Sequence, residues 1–254
     1  MISNVLLARR LSAAEAGRLW GQLGFASSLM FGKFGRARLA PLVRREFEWR
    51  ANLNPQLEAC LRWWLRVLQS HAPRVVPVGL RHRGVVISYS DGEGGGGGVG
   101  VAVFHYSFPP VAAFLKVPRE VRLLWSSARS EALPTEEISD IYSIEALGPA
   151  VILAEFEHLV RGELWIHFID NVGTQMTLIK GSASVRSEDV IIGYTWERVV
   201  SARSFLWVER VASGDNPVDG LSRGVLEGPW GDVRLTSVPP ALLRRLRERA
   251  FPKT

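Results

Sequence analysis

The sequence predicts a mixed α/β domain preceded by a small basic helical unit. Apolar residues recur at helical spacing through residues 1–75 and give way to short β-branched runs from residue 84. Pro73 and Pro77 fall between the two textures and mark a boundary. Charge divides at the same place. Residues 1–75 hold 12 Lys/Arg against 4 Asp/Glu, and the remainder holds 19 against 21. A basic leading unit is what contact with phosphates requires, although a solvated basic helix face gives the same count.

The elements follow in order. Leu11 to Met30 carries a helical apolar pattern after a Ser12 start, and Arg36 to Arg50 continues it with heavy Arg content. Asn54-Pro55 is a capping side chain followed by a first-position proline. It opens a helix bearing Leu57, Cys60, Leu61, Trp64, Leu65 and Leu68. Val85–Tyr89 and Val99–Tyr106 read as strands, separated by Asp91-Gly92-Glu93 and five glycines. Pro109-Pro110 closes the second run, and Phe114–Val117 is a candidate third strand. A helix over 144–160, a strand over 164–169, helices near 172–180 and 187–203, a strand over 205–211 and a short helix near Pro217 complete the order β-β-β-α-β-α-α-β-α. The tail from Pro239 is a basic helix with Arg244, Arg245, Arg247 and Arg249.

Composition excludes several classes. With 254 residues, 47% hydrophobic and 22% charged, the chain can bury a core and is not globally disordered. Cys60 is the single cysteine, which excludes an internal disulfide and a cysteine-built zinc site and suits a reducing compartment. No apolar run approaches the roughly 20 residues of a bilayer span, and no basic-to-apolar leader is visible. The expectation is a soluble intracellular protein, in cytoplasm or nucleus.

Four acidic residues sit where metal ligands are useful. Asp91 falls just past the first strand and Glu145 in or just before the first long helix. Asp170 follows the strand 164–169, and Asp219 starts the short helix after the last strand. Two-metal phosphodiester hydrolysis needs carboxylates of this kind on rigid elements, converging where two ions sit roughly 4 Å apart. Hard cations such as magnesium select oxygen ligands.

The wording around these positions resembles the ribonuclease H superfamily, over about residues 84–224. Ser90-Asp91-Gly92-Glu93-Gly94 before Val99–Phe104 is similar to the family's first aspartate motif. Glu145-Ala146-Leu147 is similar to its glutamate helix, and Ile169-Asp170-Asn171 to its second aspartate. Val211-Ala212-Ser213-Gly214-Asp215-Asn216-Pro217-Val218-Asp219-Gly220-Leu221-Ser222-Arg223 is the most specific piece and resembles the last motif of retroelement ribonuclease H domains. The N-terminal helices look like the segment linking such a domain to a reverse transcriptase. The resemblance implies a ribonuclease H-like mixed five-stranded sheet flanked by helices. It also implies two Mg2+ (or Mn2+) ions held by Asp91, Glu145, Asp170 and Asp219, with Asp91 bridging, and cleavage of the RNA strand of RNA–DNA hybrids. The domains would be 1–75, 84–224 and a C-terminal extension 225–254. Arg36, Arg38, Arg44 and Arg45 would position phosphates.

Other readings stand beside this one. Taken singly, Asp-Gly before glycines is a hairpin turn, Asn216–Asp219 a capped loop, and a helix-start Glu145 a dipole partner. The glycines lack a following Lys-Ser/Thr and form no P-loop. Phe168–Asn171 lacks the second aspartate of a polymerase palm. Gly148-Pro149 would place Glu145 a turn ahead of the regular helix, with Glu131 or Glu137 as substitutes. Many relatives carry a histidine before the last aspartate, and none lies between His167 and the C-terminus here. His105, His158 and His167 read as packing or surface residues. The rival function is a decayed or co-opted retroelement remnant that binds nucleic acid without cutting it. A proofreading-type exonuclease is a third class.

Overall fold

In the computed structural model, which describes residues 1–30, 33–70, 84–129 and 140–250, the chain falls into two units, Met1–Gly79 and Leu80–Thr254. Pro73, Pro77, Glu131 and Glu137 lie outside the described residues.

The first unit is helical: α1 (Ile2–Ala8), α2 (Ala13–Leu29), α3 (Ala40–Glu46) and α4 (Pro55–Ser70). Ser12 caps α2 with a reciprocal pair of bonds. Its hydroxyl accepts from Glu15 N at 3.3 Å, and the Glu15 carboxylate accepts from Ser12 N at 2.9 Å. Asn54 Oδ1 accepts from Leu57 N at 2.8 Å, which fixes the start of α4. Leu11, Leu19, Leu23, Leu42, Leu57, Leu61 and Trp64 form the core. The expected helix over 36–50 resolves into a 3-10 turn, Arg36–Leu39, and the short α3.

The second unit is a mixed six-stranded sheet flanked by helices. Its strands are β1 (Val85–Glu93), β2 (Gly98–His105), β3 (Phe108–Lys116), β4 (Leu164–Ile169), β5 (Phe205–Arg210) and β6 (Val233–Thr236). The order is β5-β4-β1-β2-β3-β6. β1, β2 and β3 are antiparallel neighbours, whereas β1–β4, β4–β5 and β3–β6 are parallel. The count expected from sequence was five. The sixth strand comes from residues beyond 224, so that segment contributes an edge to the sheet and is no mere appendage. α5 (Arg119–Arg129) was not anticipated either.

α6 (Ile141–Glu155) runs unbroken through Gly148-Pro149, which corrects the expectation that Glu145 precedes the regular helix. Every residue from Ser143 to Leu153 is buried, as befits a helix apolar all round that lies against the sheet and against α9 (Arg186–Ser201). A Cβ on Gly148 would stand 2.3 Å from the Ser90 side chain, so only glycine lets α6 approach β1 this closely. α7 (Glu157–Val160) follows α6 after a break at Phe156. α8 (Val172–Lys180) follows β4, and α11 (Pro240–Ala250) packs on α5 and α9. The one-turn α10 (Asp219–Ser222) lies on the other sheet face, where Val218 and Leu221 pack with Ala102, Ala112 and Trp230. A Cβ on Gly100 would stand 2.7 Å from Ser222 N, so β2 also relies on glycine to seat α10.

Candidate functional site

Ser90 of β1 pairs in register with Ile169 of β4, so Asp91 and Asp170 each stand one residue beyond the same rung of two parallel neighbours. The crevice outside the carboxyl ends of parallel strands is where α/β sheets bind ligands. Asp91 is inside β1, opposite Gly100, and not just past the strand as the sequence suggested. Side chains alternate along β1. Ser90 therefore faces α6 while Asp91 faces α10, and the site draws on both faces of the sheet at its end.

Three of the four carboxylates have a distinct holder. Ser222, closing α10, donates its hydroxyl to Asp91 Oδ2. Glu145 is one turn into α6, 5% exposed, and its Oε1 accepts from Asn171 Nδ2 at 3.1 Å. Asn171 also caps α8, accepting from Thr174 N at 3.0 Å, so one amide ties the β4–α8 junction to the glutamate. Asp219 Oδ1 accepts from Arg223 Nη2 at 2.7 Å. Asn216 Nδ2 donates to Ser90 O at 3.1 Å and pins the loop before α10 to β1. Sequence reading quoted Asn171, Asn216, Ser222 and Arg223 within motifs but gave them no role.

The electrostatics show that the four acids share one field. Burial, reinforced by Asp170 and Asp219, lifts the Asp91 carboxyl to about 6, and the Ser222 hydrogen bond opposes the rise. Burial, then Asp170, and to a lesser degree Asp91, lift Glu145 to about 8 against the Asn171 bond. Glu145 Oε2 and Asp170 Oδ1 are buried with no hydrogen-bond partner. Buried carboxylate oxygens of this kind ask for a proton or a cation. The donor set is all oxygen, which suits a hard divalent ion. Among the described residues, no three His, Cys, Asp or Glu side chains already stand in metal-ligating geometry. The acids are in electrostatic reach of one another without being drawn together, as like charges dictate.

The remaining candidates fall elsewhere. Glu93 turns away from the cleft: its carboxylate accepts from Gly95 N at 2.7 Å and from Gly96 N, bracing the glycine turn between β1 and β2. His167 is fully buried, with Ser88 Oγ 2.8 Å from one ring nitrogen and Ser90 Oγ 3.1 Å from the other. Burial holds it neutral, at about 3, so it is a packing residue. His158 is exposed, and His105 stacks on Tyr106. In the first unit, Arg45 is 2% exposed, and its guanidinium donates to Arg50 O and, at 2.7 Å, to Asn52 O. That burial removes Arg45 from phosphate contact, contrary to expectation. Arg44 is exposed and bonds Gln56 at 3.1 Å, Arg38 lies 5.3 Å over Trp63, and Arg36 is half-buried.

No protein family and no curated protein matches the chain. Among the described residues, no helix is long and apolar enough to cross a membrane.

Proposed function

We propose that the second unit is a ribonuclease H-like, metal-dependent nuclease acting on the RNA strand of RNA–DNA hybrids, of retroelement type. One observation carries the reading. Asp91 and Asp170 follow the same rung of the neighbouring strands β1 and β4, Asp91 is electrostatically coupled to Glu145 and Asp219 as well, and Glu145 and Asp170 keep buried oxygens without partners. Asp91, Glu145, Asp170 and Asp219 would hold two Mg2+ or Mn2+ ions. Asp91 is the central member, since it is coupled to each of the other three. Bound ions would supply an activated water and stabilise the leaving oxygen.

The chain's own residues do the rest. Asn171 and Ser222 orient two of the acids, and Asn216 fixes the loop that presents the last one. Substrate choice would follow hybrid shape and the 2′-hydroxyl, with Arg36, Arg38 and Arg44 of the first unit on phosphates.

The test is a labelled RNA–DNA hybrid incubated with the protein in magnesium and in chelator. RNA-strand cuts that depend on magnesium support the reading. Binding of the hybrid without cuts would instead favour a co-opted remnant.

A further inference from the structure

We propose that Ser222 and Arg223 are a positioning pair with opposite duties. Ser222 fixes Asp91 permanently, whereas Arg223 is a built-in counter-ion of Asp219 that a divalent cation displaces. The inference rests on the carboxylate site being a cation site and adds how the protein regulates loading of that site.

The two contacts differ in what surrounds them. The Ser222 hydroxyl and Asp91 are both buried, at 1% and 6% exposure, so water does not compete for the bond between them. Ser222 Oγ also lies 2.8 Å from the Asp219 carbonyl, but it has one proton, and a carboxylate is the stronger acceptor. The Arg223 side chain is 63% exposed and that of Asp219 is 38% exposed, with the ion pair formed across one helical turn. Exposed pairs of this kind are held weakly and exchange readily. Among the described residues, Asp91, Glu145 and Asp170 have no ion pair, so Arg223 is the one cation on the group. A divalent ion approaching Asp219 meets a guanidinium already using Oδ1. Because Arg223 sits on the solvent side, it can swing away without disturbing α10, whose backbone is fixed by Gly100 and Asn216.

The experiment titrates Mn2+ into the full chain by calorimetry, at fixed pH and low salt. The proteins are the parent, Arg223→Gln, Ser222→Ala, Ser222→Thr, Asp91→Asn and, as a control for loss of one positive charge, Arg247→Gln. Arg223→Gln should tighten Mn2+ binding by about two- to fivefold, the range an exposed ion pair allows. Arg247→Gln should leave it near the parent value. Ser222→Ala should weaken binding by about tenfold, as loss of a residue that orients a ligand does, and Ser222→Thr should restore it. Melting curves of each variant exclude misfolding as the cause. If the parent binds Mn2+ and Asp91→Asn does not, the site reading stands independently. In that case, an Arg223→Gln affinity equal to or weaker than that of Arg247→Gln overturns the counter-ion role. Ser222→Ala binding at parental affinity overturns the other half. If the parent takes up no Mn2+, both the site reading and this inference fall.

Discussion

Replacing Glu145 by Gln probes the buried acid without any substrate. Burial and Asp170 hold this carboxyl at about 8, against 4.5 for an unperturbed glutamate. A raised folded-state value means that folding favours the protonated form. The stability it contributes is complete below the unfolded value and is lost as pH rises through about 8. At pH 7 the chain stands about 2.5 pH units above the unfolded value, and each unit is worth about 1.4 kcal/mol, so the penalty reaches about 3.5 kcal/mol. Gln keeps the oxygen that Asn171 uses and has no proton to lose. His167 has a lowered value and acts in the opposite sense in acid, but it is common to both proteins and cancels. Urea unfolding in chelator reads the outcome through the buried Trp125, Trp165, Trp196 and Trp230 of the second unit. Glu145→Gln should stand within about 1 kcal/mol of the parent near pH 5 and exceed it by about 4 kcal/mol at pH 8. Magnesium should narrow the gap by stabilising only the parent's charged site. A gap that is the same at both pH values would refute the claim that Glu145 is buried against other acids.

Asp91→Asn removes charge at the central carboxylate with little change of shape. Folding should survive while magnesium-dependent cutting of the hybrid disappears, and Glu93→Gln should cut like the parent. Arg45→Ala strips the donors from the Arg50 and Asn52 carbonyls and leaves a cavity. A loss of about 2–4 kcal/mol in the first unit's urea transition is expected, and an unchanged transition would show that the buried guanidinium is idle. Gly148→Val forces a methyl-bearing carbon into the Ser90 side chain and should lower the second unit's melting temperature sharply, which differential scanning calorimetry would show. Joint replacement of Arg36, Arg38 and Arg44 by Ala should weaken hybrid binding and flatten its salt dependence. The same slope in parent and variant would reduce these arginines to a solvated surface.

Local chemistry made some elements legible in sequence. β4 and α8 appear at their expected bounds, because a β-branched and aromatic run ends at Asp170 and Asn171 is a capping residue. Other elements depend on partners far along the chain. β6 has only four residues and becomes a strand by pairing with β3. Pro109 and Pro110 looked like the end of a strand, yet they lie within β3. The register shifts between Val103 and His105 beside them, and at such an irregularity the missing N–H groups are not needed. The proline in α6 suggested a break, but burial on every side keeps the helix continuous. Asp170 and Asp219 could be placed from an element's end alone, whereas Asp91 lies inside β1 and Glu145 a full turn into α6. The serine, arginine and asparagines around the acids could not be placed, since their roles arise only when α10 and α8 fold back on β1 and α6.

The pairing of β6 with β3 has a consequence for how the chain is made. Ala112 bonds alongside Val233, 121 positions later in the sequence. A ribosome adding about 5–20 residues per second needs about 6–24 s to cross that interval. Throughout it, the outer edge of β3 displays unpaired amides beside Val111-Ala112-Ala113-Phe114-Leu115, an apolar stretch with no charge to discourage a neighbouring nascent chain. The hazard to this fold therefore lies in the seconds before its last strand emerges.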